Sequence, residues 1–363
     1  MKTIAIITLH NVKNYGSILQ AYATQNYFKE LGLDPILIDY RRPWETSLGY
    51  WFYLNDKSLK GIARNIMYFP SKILQLYIFK NFQKKYLTLT HQTYVKKADF
   101  ESTPIHADIY CTGSDQVWNS GWNEGVITAY FLDFIHIKSK KISFAASFGC
   151  SNLTNKDKDI IKPLLDKYSL ITVREEPSVD MLKNTFGLDA YEILDPTLQL
   201  SGDFWRNLCN PKRLIRKPYV LIIQLNRNHI FDNLAQQFVS NKKLKLVRLC
   251  LRVDQAILPG KSVIIPKVED YIRLIRDAEY VLTDSFHAVS FCLNLEKQFY
   301  VYFPSQYSER LKSILSIMQL TNRELALANN YDDEIDYREI QKILFAKRKF
   351  THALIKSYID SEC

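Results

Sequence analysis

Short apolar runs alternate with amphipathic stretches from the first residues of the chain. Ile4–Leu9 reads as a strand, and the polar loop His10-Asn11-Val12-Lys13-Asn14-Tyr15-Gly16 follows it. The next stretch puts Ile18, Ala21, Tyr22, Gln25 and Phe28 on one helical face and ends near Gly32. Ile36–Asp39 is the next strand, and this strand–helix–strand opening predicts a parallel sheet with right-handed crossovers. Ile109–Cys111, Ile142–Ala145 and Leu170–Val173 are further apolar runs without alternation, as expected of strands buried on both faces.

Between Pro196 and Pro218 the pattern loses its period and gathers three prolines, which marks a domain boundary. A second alternation follows. Strands are expected at Val220–Leu225, Leu244–Leu249, Tyr280–Thr283 and Phe299–Tyr302, with helices at Asp232–Val239, Val268–Ala278, His287–Leu295 and Ser308–Met318. The expected fold is α/β, two Rossmann-like domains facing a cleft, over 1–205 and 206–330. A charged helical tail over 331–363 is long enough to cross back onto the first domain.

One segment of the first domain, 51–86, departs from this rhythm. From Lys57 to Lys85 it carries seven basic residues and no acidic one, interleaved with Ile62, Ile66, Met67, Phe69, Leu74, Ile78, Phe79 and Phe82. A basic, aromatic helix pair of this kind can lie in a lipid headgroup layer. The plainer and preferred reading is a helical excursion packed on the sheet edge, its lysines solvated.

At 363 residues the chain suits two cores, and 47% hydrophobic with 24% charged residues is ordinary for a globular protein. The net charge of +10 favours anionic partners without choosing among them. No nucleic-acid-binding module is recognisable, so nucleic acid is not expected. Six scattered cysteines without a CxxC pair read as reduced and structural, with no zinc site. MKTIAIITLH lacks the apolar core of a signal peptide, and no run of about 18 apolar residues occurs, so a cytoplasmic protein is expected.

Chemistry is expected in the loops that follow the strands, where ligands of open α/β sheets gather. Thr283-Asp284-Ser285-Phe286 leads from an apolar strand to His287 at the head of an apolar helix, where free N–H groups suit an anion. A helix-capping loop with an incidental histidine is the competing reading. After the first strand, Asn14, Gly16 and Ser17 offer a ligand loop or a plain turn; the GxGxxG of dinucleotide sites is missing. Gly113-Ser114-Asp115-Gln116-Val117-Trp118-Asn119 is dense in polar groups and offers Trp118 as an aromatic face for a sugar. Arg174 leaves the end of a strand, placed to hold phosphate or carboxylate, or else to pair with Glu175 or Glu176. Arg310 opens a later helix.

Taken in order, HNVKNYGSILQAYA, GSDQVWN, FAASFG, ITVREEPS, ILDPTL and TDSFHAVSFCLN resemble the polysaccharide pyruvyl transferase family over about Lys2 to Leu320. The resemblance implies a GT-B-like fold and transfer of the enolpyruvyl group of phosphoenolpyruvate onto a sugar. The product is a cyclic pyruvate ketal in capsule or exopolysaccharide, and no cofactor or metal is needed. It implies His287 for acid–base work and Arg174 as the donor's anion clamp, with Arg310 and Ser285 beside it. Asp115 and Gln116 would orient acceptor hydroxyls, with Asp115 serving as base, on a face shared with Asn14, Gly16, Ser114 and Trp118. Acceptors in such a family are often lipid-linked, which implies work at the inner face of a membrane. Ser285 stands where many members carry Arg, which removes one expected anion contact. A nucleotide-sugar glycosyltransferase of GT-B type and a non-catalytic glycan-assembly scaffold are the alternatives.

Overall fold

The computed structural model describes the chain except residues 47–57, 137–138, 151, 304–307, 329–330, 332 and 362–363. The part of the basic segment before Ser58 therefore lies outside the described residues. The chain forms two compact units, each drawn from several segments. One comprises Met1–Thr46, Gln83–Gln199 and Leu344–Cys363; the other comprises Ser47–Phe82 and Leu200–Ile343.

The first unit begins with β1 (Thr3–Ile7), α1 (Tyr15–Glu30) and β2 (Asp34–Tyr40), the expected parallel opening. A long helix, α2 (Leu59–Tyr86), leads into β3 (Leu89–Tyr94), and β4 (Ile109–Thr112) and β5 (Lys140–Ser143) complete a five-stranded parallel sheet of order β3-β2-β1-β4-β5. Then come α3 (Asn155–Leu165), β6 (Thr172–Val173), α4 (Glu176–Phe186) and β7 (Tyr191–Glu192). Bridges from Ile142 to Leu170 and from Ala146 to Val173 carry the sheet onward past β5. β1 lies at the centre, and its branched side chains from Ile4 to Ile7 are buried, as a strand covered on both faces requires. α1 is buried on more than the one face its pattern predicts: twelve of its sixteen residues are enclosed, polar ones included. Those polar groups are satisfied internally. Gln20 Nε2 donates to Thr8 Oγ1 at 2.9 Å, and Gln25 bridges the Tyr86 carbonyl and the Thr88 N–H.

The second unit repeats the design with β8 (Tyr219–Ile223), α5 (His229–Lys242), β9 (Lys245–Cys250), β10 (Lys261–Ile264) and α6 (Val268–Asp277). β11 (Tyr280–Thr283), α7 (Phe286–Leu295), β12 (Gln298–Val301) and α8 (Glu309–Ile317) follow. Its strand order is β10-β9-β8-β11-β12, parallel throughout, the same order as in the first sheet. α6 shows why the pattern was legible: Val268, Tyr271, Ile272, Leu274 and Ile275 are buried, while Glu269 and Asp270 sit in the first turn, where acidic groups suit the helix dipole.

Two helices belong to both units. The basic segment, expected with the first domain as a helix pair, is one helix of 28 residues that accommodates Pro70 inside it. Up to Phe82 it groups with the second unit. There Ser71 Oγ accepts from the Val253 N–H, and Gln75 Nε2 donates to the Leu251 carbonyl. The tail helix α9 (Tyr337–Asp360) starts in the second unit, where the Tyr337 hydroxyl donates to the Lys297 and Cys292 carbonyls. From Leu344 it groups with the first. There Arg348 Nε donates to the Leu198 carbonyl at 2.6 Å, and Lys347 pairs with Glu192 at 3.1 Å. Among the described residues no helix is long and apolar enough to cross a membrane.

Candidate active site

In the first unit the chain leaves β4 through Gly113, where an added Cβ would stand 2.8 Å from Thr8 Cβ of the neighbouring strand. Only glycine lets the two strand ends approach so closely. Asp115 then takes a left-handed backbone with φ of 72°, a conformation Asp tolerates better than most residues. That turn aims its carboxylate inward. Oδ1 accepts from the Gln116 N–H at 2.9 Å, and Oδ2 accepts from Ser17 Oγ at 2.6 Å.

Arg174, leaving β6, is buried among three carboxylates. Nη1 donates to Asp195 Oδ2 at 2.9 Å, Nε donates to Glu175 Oε1 at 3.1 Å, and Nη2 lies 3.9 Å from Asp115 Oδ1. Burial works against the guanidinium's charge, but Glu175, Asp195 and Asp115 outweigh it and hold the group protonated. Ser147 donates to Glu175, and Ser114 Oγ and both donors of Thr197 donate to Asp195. So Arg174, Asp115 and Ser114 do come together, though as an internal network with little reach into solvent. The charge of the Arg174 guanidinium is thus answered by carboxylates of its own unit, and both oxygens of Asp115 accept hydrogen bonds within that unit.

Trp118 is corrected. It is about 1% exposed, stacked on Phe131 at 5.2 Å and packed against Phe148 and Tyr168, with its indole N–H donated to the Tyr130 carbonyl. It is a core side chain and offers no face to a sugar. Asn14 is the N-cap of α1, its Oδ1 accepting from the Gly16 and Ser17 N–H groups. The plain-turn reading of that loop fits, and the Gly16 N–H is spent on the cap. Gln116 remains half-buried, its Oε1 accepting from Asn119 Nδ2.

Sequence reasoning passed over three residues here. His10 leaves β1 with Nε2 3.0 Å from Asp39 Oδ1 and Nδ1 3.2 Å from the Thr8 carbonyl. Arg41 and Thr93 also donate to Asp39. Burial alone would raise the Asp39 pKa, but the bonds from His10 and Arg41 prevail and hold it well below the usual carboxylate range. Arg42, buried, donates to Glu45 Oε1 at 2.6 Å and to Asn123 Oδ1 at 3.1 Å, and its guanidinium carbon lies 4.3 Å from the ring centre of Trp122. Trp122 is the exposed indole of this loop, at 37%, and its backbone N–H donates to Asn119 Oδ1. A cavity of about 350 Å³, lined by Tyr40, Trp44, Lys96, Asn123, Thr128 and Asp133, opens beside the ends of β2 and β3. Its size falls at the lower end for small-molecule sites. The signal was present in the sequence: His10 stands directly after the apolar run that ends at Leu9, and Arg41 and Arg42 stand directly after Tyr40 at the end of the next strand.

In the second unit β11 runs into Asp284, whose carboxylate collects the Leu225 and Asn226 N–H groups at 2.7 and 2.9 Å. Burial raises its pKa, and these bonds offset only part of that. Ser285 is the N-cap of α7, its Oγ accepting from the Ala288 N–H and its own N–H donating to Thr283 Oγ1. With no Arg at this position, Ser285 does a helix cap's work. His287 stands in the first turn, its ring edge-on to Phe286 with centres 5.3 Å apart. Every residue of α7 is buried. A histidine heading so apolar a helix differs from an incidental surface group. Arg310 lies in the first turn of α8, partly buried. Among the described residues no group of three or more His, Cys, Asp or Glu is placed to hold a metal ion.

Solved structures resemble this architecture along its length. The S. aureus MnaA–UDP co-structure matches with a TM-score of 0.55 at 12% identity, covering 99% of this chain and 97% of that one. The Anabaena Alr3699/HepE structure, in complex with UDP and glucose, matches with a TM-score of 0.52 at 8% identity, covering 98% of this chain and all of that one. At such identities the likeness is one of fold, of the GT-B kind. No curated protein matches the sequence. The family model described as polysaccharide pyruvyl transferase matches residues 14–302, from the cap of α1 to the residue after β12. With strand ends of both units inside that span, the chain belongs to the polysaccharide pyruvyl transferase family.

Proposed function

We propose that the protein transfers the enolpyruvyl group of phosphoenolpyruvate to two hydroxyls of a sugar, forming a pyruvate ketal in surface polysaccharide synthesis. The observation that carries this reading is the family match across both units, with His287 kept at the head of a buried helix. C3 of the donor gains a proton, C2 becomes electrophilic, and a sugar hydroxyl adds to it. Phosphate then leaves with the C2–O bond, and the second hydroxyl closes the ring. Of the two hydroxyl protons released, one balances the proton taken up at C3 and the other leaves with phosphate. His287 is the group proposed to pass these protons, and the N-terminus of α7, the positive end of its dipole, suits an anion beside it. Arg310 is the guanidinium proposed for the donor, since Arg174 is committed to carboxylates. Arg174 and Asp115 are proposed as positioning residues that fix the loop carrying Gln116. The acceptor is placed against Gln116 and Trp122, where amide and exposed indole supply hydroxyl contacts and an apolar face.

The test is phosphate release from phosphoenolpyruvate, with and without lipid-linked and free sugar acceptors. Release that requires an acceptor, and a pyruvate ketal in the product by mass spectrometry, is the expected result. A thermal shift with UDP-sugars and none with phosphoenolpyruvate would instead favour a nucleotide-sugar transferase. Binding of neither donor by calorimetry would favour a scaffold.

A further inference from the structure

Helix α2 is apolar on two opposite sides. Ser71, Ile78, Phe79 and Phe82 are buried on one. Ile62, Ile66, Phe69, Ile73 and Tyr77 are 47, 71, 51, 48 and 66% exposed. At 100° per residue these five fall within an arc of about 80°, opposite the buried side. The stripe continues in sequence through Lys80 and Lys84, both exposed and on the same arc. From Leu59 to Tyr86 the helix has no acidic residue.

Five large apolar side chains in a solvent-facing row are more than the scattered exposure normal for a surface. Their occupant is narrowed by charge. A second copy of the chain, meeting this face symmetrically, would bring together two helices that carry basic residues and no carboxylate to answer them. A surface that is apolar inside and negative at its rim answers both features at once. We propose that α2 docks the protein on an anionic lipid surface, lying along the headgroup layer with Ile66, Phe69 and Ile73 inserted and Lys80 and Lys84 on lipid phosphates. The helix is too polar to cross a bilayer, and a helix of this pattern lies in the interface. This reading is independent of the donor and of the reaction.

The experiment is flotation of the full chain with vesicles of phosphatidylglycerol and phosphatidylcholine, or of phosphatidylcholine alone. Flotation with the first and not the second is expected, released at about 0.5 M NaCl, where charges are screened within a few ångströms. The double variants Ile66→Ser/Ile73→Ser and Lys80→Glu/Lys84→Glu should each bind at least tenfold more weakly, with unchanged melting curves because the sites face solvent. Failure to float with anionic vesicles would overturn the proposal, as would equal flotation of both variants. A concentration-dependent dimer in sedimentation velocity, abolished by Ile66→Ser/Ile73→Ser, would also overturn it in favour of a second copy.

Discussion

The two units share one strand order but spend the polar groups at their strand ends differently. In the first, Arg174, Asp115, Glu175, Asp195, Ser17 and Ser114 are linked in a buried network of ion pairs and hydrogen bonds. In the second, Asp284 and Ser285 pin their loop to β8 and cap α7, and His287 stands in the first turn of that helix, edge-on to Phe286. Polar density after a strand thus also serves the loop's own hydrogen bonding. A loop that must turn sharply at a sheet edge needs internal hydrogen bonds for its backbone, and a sequence rich in Ser, Asp, Gln and Asn supplies them.

The contrast can be broken most decisively at His287. His287→Ala should lower acceptor-dependent phosphate release by about 10² to 10⁴, the range for one general acid–base group, with the melting temperature little changed. Retained activity would remove the distinction between the units. Arg174→Ala should act the other way, lowering stability by about 3–5 kcal/mol through the carboxylates left unpaired. Chemical denaturation measures it, and an unaltered midpoint with activity alone lost would return Arg174 to substrate binding. The two tryptophans of the Gln116 loop sharpen the same point. Trp118→Ala should cost about 3–5 kcal/mol of stability, whereas Trp122→Ala should leave the fold intact and raise the KM for the sugar severalfold. The smallest effect is one of pH. Asp39 is held below the ordinary carboxylate range, so its contribution is complete above a pH of about 4 and is lost as pH falls toward its folded value. Asp39→Asn should flatten the acid limb of a stability–pH curve.

Fully enclosed elements were legible because nothing in them competes with the pattern. β1, β8 and β11 are short branched runs, and α6 has one apolar face. β3 and β10 were not. Both are edge strands, and LTHQTY and KSVI keep many of their side chains half-buried or exposed, so neither makes a clear apolar run. The segment expected as a helix pair runs through Pro70 as one helix. The site was harder still. Trp118 and Trp122 are four positions apart, yet among the described residues only Trp118 packs against Phe148 and Tyr168 from far along the chain. Arg174 showed Glu175 as a neighbour, while its other close partner, Asp195, sits in a separate motif.

The segments of each unit have a consequence for synthesis. The first needs Leu344–Cys363 as well as the amino-terminal residues, and the second needs Ser58–Phe82 from well before its own sheet. A ribosome must therefore deliver nearly the whole polypeptide before the earliest strands gain their last covering helix. Cutting the gene near codon 200 would yield two fragments, each missing a piece encoded by the other.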